Sequence, residues 1–245
     1  MTSSPTVVVV HPTRQALADA AAARLAVALL DAQNLRGVAH ISLTGGSMGS
    51  EIIRSLAAEP ARAAVDWTRV HVWWGDERYL PAGHPERNCQ QNDEAGLLTL
   101  GLVTANVHRI PGPDRSDSVE DSAADYAELL RSDGNGRFDV MVLGVGADGH
   151  CASLFPHHPA ADTTGTPTVA VYDSPKPPAT RVSLTREALE RSREVWFLVS
   201  GSTKAEAVRR GVEGAPFDEA PSAGVHGEDR TLWLVDEEAA ADLGG

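Results

Sequence analysis

The run Val140-Met141-Val142-Leu143-Gly144-Val145-Gly146-Ala147-Asp148-Gly149-His150-Cys151-Ala152-Ser153-Leu154-Phe155-Pro156 decides how the chain is read. Its first residues form a continuous apolar stretch rich in valine. Such a stretch suits a strand of a parallel sheet covered on both faces. Glycines follow at once. As bare spacing, Gly144-x-Gly146-x-x-Gly149 imitates a dinucleotide fingerprint, with Asp173 24 residues beyond Gly149. The context argues against a nicotinamide site. That motif needs a helix running from the glycines to the next strand, whereas Pro156 interrupts one and the residues after it are rich in Pro and Gly. The segment therefore reads as a strand ending in a loop that presents His150. An imidazole titrates near neutrality and accepts a proton from water at cellular pH. Asp148, two residues earlier, is a candidate to orient the ring.

The same pattern extends in both directions. Val7–Val10, His40–Thr44, Val70–Trp74, Thr168–Tyr172, Val195–Ser200 and Thr231–Val235 read as further buried strands. Arg14–Ala32, Met48–Ala58, Val119–Arg131, Arg186–Arg191 and Lys204–Gly211 read as helices, the last opened by a Thr203–Glu206 capping box. Tyr79–Asn92 and Phe155–Pro167 read as long polar connections. Alternating strands and helices predict an α/β fold, a mostly parallel open sheet flanked by helices. No linker or repeat divides residues 1–245, so a single domain is expected.

Ligands of open α/β sheets bind outside the carboxyl ends of the strands, so the residues after each strand are the site candidates. Gly45-Gly46-Ser47-Met48-Gly49 follows the second strand and opens a helix, which suits a phosphate cradle of backbone N–H groups. The same residues also fit a Gly-x-Ser-x-Gly nucleophile elbow, which would pair Ser47 with a later base such as His226. Gly75-Asp76-Glu77-Arg78-Tyr79 follows the third strand; Arg78 offers a planar fork of donors to phosphate, and Asp76 is a second candidate to hold the imidazole. Gly201-Ser202-Thr203-Lys204 adds a cation at a helix start. Arg181, after Ser174-Pro175-Lys176-Pro177-Pro178, is either a substrate arginine or an ordinary strand-end charge.

Lys plus Arg total 21 against 34 Asp plus Glu, a net charge of −13, and no basic stripe marks a nucleic-acid surface. No segment suits a membrane span or signal peptide, and the two cysteines make no disulfide framework, so a cytoplasmic protein is expected. No metal-ligand motif is legible.

Four motifs occur in order: Thr44-Gly45-Gly46-Ser47, then Trp74-Gly75-Asp76-Glu77-Arg78, then Gly144-x-Gly146-x-Asp148-Gly149-His150-x-Ala152-Ser153-Leu154-Phe155-Pro156, then Ser200-Gly201-x-x-Lys204. With Asn88 and the Arg181 segment, this series resembles the 6-phosphogluconolactonases of the glucosamine-6-phosphate isomerase/6-phosphogluconolactonase family. The deaminase branch typically continues the Asp-Gly-His core with Phe-Asn-Glu-Pro; here Ser153-Leu154-Phe155-Pro156 has the lactonase form. Met48 and Gly49 depart from the commonest first loop of the family. The resemblance implies a three-layer deaminase/isomerase-like domain that uses no metal or organic cofactor. It implies hydrolysis of a sugar-phosphate lactone, with glucose-6-phosphate dehydrogenase as the lactone supplier. It maps the phosphate pocket to Gly45, Gly46, Ser47, Arg78 and Lys204, and the catalytic histidine to His150. Two other readings stand beside it: an aldose–ketose deaminase or isomerase, and a sugar-phosphate sensor without turnover.

Overall fold

The apolar runs pair mostly as parallel neighbours. The computed structural model describes residues 4–133 and 136–244. Its strands are β1 (Thr6–His11), β2 (Ala39–Leu43), β3 (Val70–Trp74), β4 (Asp76–Arg78), β5 (Phe138–Gly144), β6 (Thr168–Val171), β7 (Arg181–Leu184), β8 (Ser192–Val199) and β9 (Arg230–Asp236). The helices are α1 (Arg14–Arg36), α2 (Gly46–Ala58), α3 (Asn88–Glu94), α4 (Val119–Ser132), α5 (Arg186–Glu190) and α6 (Ala205–Val212). Six strands form one parallel sheet in the order β1-β9-β8-β5-β2-β3. Its interior is dominated by large side chains. Trp73, Trp74, Trp196, Phe197 and Trp233 are all at most 1% exposed. Each contributes on the order of 2 kcal/mol by leaving water. Among the described residues no helix is long and apolar enough to cross a membrane.

The helices cover this sheet. Thr13 caps α1 by accepting from the Ala16 N–H, and Gly37, at φ +85°, ends it in the left-handed conformation. α1 packs on α2 and touches β2, β5 and β9. α4 lies beside β6 and β7, and its Tyr126 hydroxyl bridges both backbone groups of Trp74, accepting from N at 3.0 Å and donating to O at 3.1 Å. The edge strand β3 is covered by the loop through His108, whose N–H donates to the Val72 carbonyl at 2.8 Å.

Three expectations are corrected. Thr168–Tyr172 does not join the parallel sheet. β6 pairs antiparallel with β7, and β7 with β4, in a separate sheet of order β4-β7-β6. A parallel crossover needs a dozen or more residues and usually a helix, and the short Pro-rich link 172–180 supplies neither. Asp76–Arg78 forms the short first strand of that separate sheet: the chain leaves the large sheet at Gly75, whose carbonyl accepts from the Leu184 N–H at 2.8 Å. The Tyr79–Asn92 connection contains the start of α3. Its first N–H groups are capped by a distant side chain, Glu77, which accepts from Asn88 at 2.7 Å and Cys89 at 3.0 Å. Finally, the Thr203–Glu206 capping box does not form. A 3-10 turn over Ser202–Lys204 feeds directly into α6, and Glu206 pairs with Arg209 instead.

Candidate active site

Connectivity brings the four motifs together. They follow β8, β5, β2 and β3, which are four adjacent strands, and all lie at carboxyl ends. From β2 the chain steps outward to β3, while from β5 it steps the other way through β8 to β9. The direction reverses between β2 and β5, the crevice where open α/β sheets receive ligands.

The loop after β5 sets the imidazole. Gly146 donates to the His150 carbonyl and Gly149 to the Gly146 carbonyl, both at 2.9 Å, so the turn folds onto itself. Gly149 takes φ +90°. His150 Nδ1 then lies 2.6 Å from Asp148 Oδ1. A carboxylate only accepts, so Nδ1 carries the proton and Nε2 presents its lone pair. Phe155 packs on the ring at 4.5 Å between centroids, and the imidazole keeps 15% side-chain exposure. Burial lowers the His150 pKa; the Asp148 bond and charge oppose this, and Lys176 reinforces it. Burial alone would raise the pKa of Asp148, but His150 and Lys176 prevail and hold it below the usual carboxylate range. The result is a neutral imidazole beside an ionised, orienting carboxylate.

Lys176 was given no role by sequence reasoning. Its ammonium donates to Asp148 Oδ1 at 3.1 Å and lies 3.2 Å from His150 Nδ1. With Nδ1 already a donor, that second contact is a charge–dipole conflict rather than a hydrogen bond. Arg181 explains why Lys176 sits there. Its Nε donates to Pro178 O, and its Nη2 donates to Lys176 O and Pro177 O. Its Nη1 points at Ser153 Oγ at 3.4 Å, and the residue is 3% exposed. With its guanidinium bonded to three carbonyls, 4.0 Å from Asp76 Oδ2 and covered by protein, Arg181 braces the 176–178 segment.

Asp76 is engaged elsewhere too. It accepts from Ser153 Oγ at 2.6 Å and from Asn88 Nδ2 at 3.0 Å, whereas the bond to the imidazole comes from Asp148. Asp76 thus ties β4 to the loop after β5. Asn88 also lies under the turn after β2: a Cβ on Gly45 would come 1.9 Å from Asn88 Oδ1. That close approach is why glycine is required there.

In the Gly45–Ser47 turn, Gly46 takes φ +74° and its N–H donates to Gln91 Oε1 at 2.8 Å. The N–H groups of Ser47 and Met48 stand in the first turn of α2, which has no intrahelical acceptors for them. Ser47 is exposed. The nucleophile-elbow alternative fails on topology. His226 lies just before β9 and Ser47 just after β2, at opposite ends of parallel strands. Arg78 Nη1 donates to the Glu86 carbonyl at 2.5 Å, leaving the rest of its fork, and Lys204 is half-buried, its pKa lowered by burial and by Lys176. The thiols are unsuited to nucleophilic work: burial and Glu77 push Cys89 up to about 12, and burial raises Cys151 as well.

A sequence model described as glucosamine-6-phosphate isomerases/6-phosphogluconolactonase matches residues 12–233. The chain belongs to the glucosamine-6-phosphate isomerase/6-phosphogluconolactonase family. Within it, a Streptomyces coelicolor 6-phosphogluconolactonase is 46% identical over 96% of this chain and 94% of its own length. A Mycobacterium tuberculosis 6-phosphogluconolactonase is 42% identical over 96% and 97%. The solved 6-phosphogluconolactonase of Trypanosoma brucei superposes with a TM-score of 0.82 at 27% identity, over 99% of this chain and all of that one. The mostly parallel sheet flanked by helices is the architecture of this family.

Proposed function

We infer that the protein hydrolyses 6-phospho-D-glucono-1,5-lactone to 6-phosphogluconate, the lactone-opening step of the pentose phosphate pathway. The near-full-length identity to relatives of that name carries the assignment, and a neutral imidazole with its proton on Nδ1 is the chemistry the reaction needs. Residues 1–245 act as one catalytic domain. The dianionic phosphate docks on the N–H groups at Ser47 and Met48 with Arg78 and Lys204, so a few local cations serve an otherwise acidic protein. This remote anchor aligns the lactone carbonyl with His150.

His150 Nε2 takes a proton from water as the water oxygen bonds to the carbonyl carbon. Asp148 stabilises the resulting imidazolium. The tetrahedral oxyanion then collapses, the bond from carbon to ring oxygen breaks, and Nε2 returns its proton to that oxygen. Such acid–base work contributes about 10²–10⁴-fold. Oxyanion donors come from the Ala147 and Asp148 N–H groups, because Gly146 and Gly149 donate within the turn. The enzyme works in the cytoplasm, supplied with lactone by glucose-6-phosphate dehydrogenase.

The test generates the lactone in situ and follows its decay above the spontaneous rate, with glucosamine 6-phosphate assayed in parallel for ammonia release. Accelerated lactone decay without ammonia release is expected. Ammonia release without lactone acceleration would assign the deaminase reaction instead.

A further inference from the structure

A second cluster of chemistry-bearing side chains lies away from the His150 loop, along the edge strand and near its amino end. His71 is the second residue of β3, His108 sits in the loop covering that strand, and Asp133 is the C-cap of α4. His71 Nδ1 and His108 Nε2 are 3.0 Å apart. Asp133 Oδ1 lies 3.6 Å from His71 Nδ1, and Oδ2 lies 3.4 Å from His108 Nε2. A tetrahedral zinc ion with bonds of about 2.0–2.1 Å separates its donors by about 3.3–3.4 Å. The three groups therefore stand at ligand spacing before any ion is added.

Several features fit the set to a cation. His108 is stacked on Trp73 at 3.8 Å between centroids, and His71 is stacked between His108 and His40, so packing holds both ring planes. His108 is 4% exposed, so its ring is held in place by the surrounding protein. His71 Nδ1 and His108 Nε2 stand at hydrogen-bond distance, so one of them carries a proton that an incoming cation displaces. Asp133 has a side chain 38% exposed, which leaves an entry path from solvent. The N₂O donor set suits zinc, cobalt or nickel; calcium and magnesium prefer oxygen shells.

We propose that His71, His108 and Asp133 bind a divalent transition cation of the zinc class, which ties the end of α4 and the His108 loop to the edge strand. The role is structural, because the site lies on β3 away from the strand ends that hold His150. No local motif announces it, since its ligands come from three separate elements.

Zinc ion alone is the probe. Metal-stripped protein is dialysed against Zn²⁺, and both bound metal and thermal midpoint are measured. One equivalent bound through this cluster and a raised midpoint are expected. Asp133→Asn and His71→Ala should each lose that equivalent, or weaken it by more than about tenfold, and lose the midpoint rise. Asp133→Asn alters a partly exposed group and keeps its shape, so its fold is checked by circular dichroism at unchanged intensity. His150→Ala separates this site from metal captured by the His150–Asp148 pair, and should keep the equivalent. The proposal is overturned if Zn²⁺ does not bind, if binding ignores Asp133→Asn and His71→Ala, or if only His150→Ala abolishes it.

Discussion

Gly146 lies against His150 so closely that a Cβ placed on it would come 2.0 Å from Nδ1 and 2.2 Å from Asp148 Oδ1. Absence of a side chain at one residue thus permits the hydrogen bond between two others. Gly146→Ala should separate the pair and reduce kcat toward the level of a His150 variant. The thermal midpoint should fall much less, because the displaced groups are partly exposed. Steady-state kinetics beside a melting curve checks this; a variant with wild-type kcat would mean that the Asp148 bond is dispensable.

The neighbours of His150 make opposite predictions about pH. Asp148 raises the imidazole pKa and Lys176 lowers it. Activity needs the neutral ring, so the acid limb of kcat/KM follows that pKa. Lys176→Met should move the limb to higher pH. Asp148→Asn should move it to lower pH, while the plateau drops because the ring loses its anchor. A pH profile of both variants decides the point, and shifts of the same sign would remove Lys176 and Asp148 as opposing influences.

Phosphate anchoring should separate from chemistry. Arg78→Ala and Lys204→Ala remove cations assigned to the remote phosphate. Each should raise KM by roughly one to two orders of magnitude, as expected for a charge-assisted bond of about 1.5–3 kcal/mol, with a smaller change in kcat. Inhibition by 6-phosphogluconate should weaken in parallel. An unchanged KM in both variants would move the phosphate elsewhere.

Tyr126→Phe tests the edge of the sheet. Its hydroxyl satisfies both the N–H and the carbonyl of buried Trp74, and removal leaves them unpaired. Denaturant unfolding should show a loss of about 1–3 kcal/mol. A loss below a few tenths would mean that other groups replace the hydroxyl.

Much of this arrangement is legible in the sequence, and the gaps have physical reasons. β2, β3, β5 and β8 are dominated by apolar residues, and glycines mark the turn after each, so the segments carrying Gly45–Ser47, Asp76–Arg78, His150 and Lys204 are evident. β6 has a similar composition, but its partner depends on the length of the link that follows. α3 is hidden because its cap, Glu77, comes from β4 rather than from the preceding residue. Lys176 reaches Asp148 only through the 176–178 backbone held by Arg181, a relationship that no local pattern encodes. For the same reason the bracing role of Arg181 is not legible in the sequence.

The most direct test of the account is the decay of in situ generated 6-phosphogluconolactone, corrected for spontaneous hydrolysis, catalysed by wild-type protein and by His150→Asn. Asparagine keeps a polar side chain but cannot accept the proton from water. A fall in kcat of about 10²–10⁴-fold with KM nearly unchanged is the predicted result. A variant within a few-fold of wild type would contradict the assignment of His150 as the base.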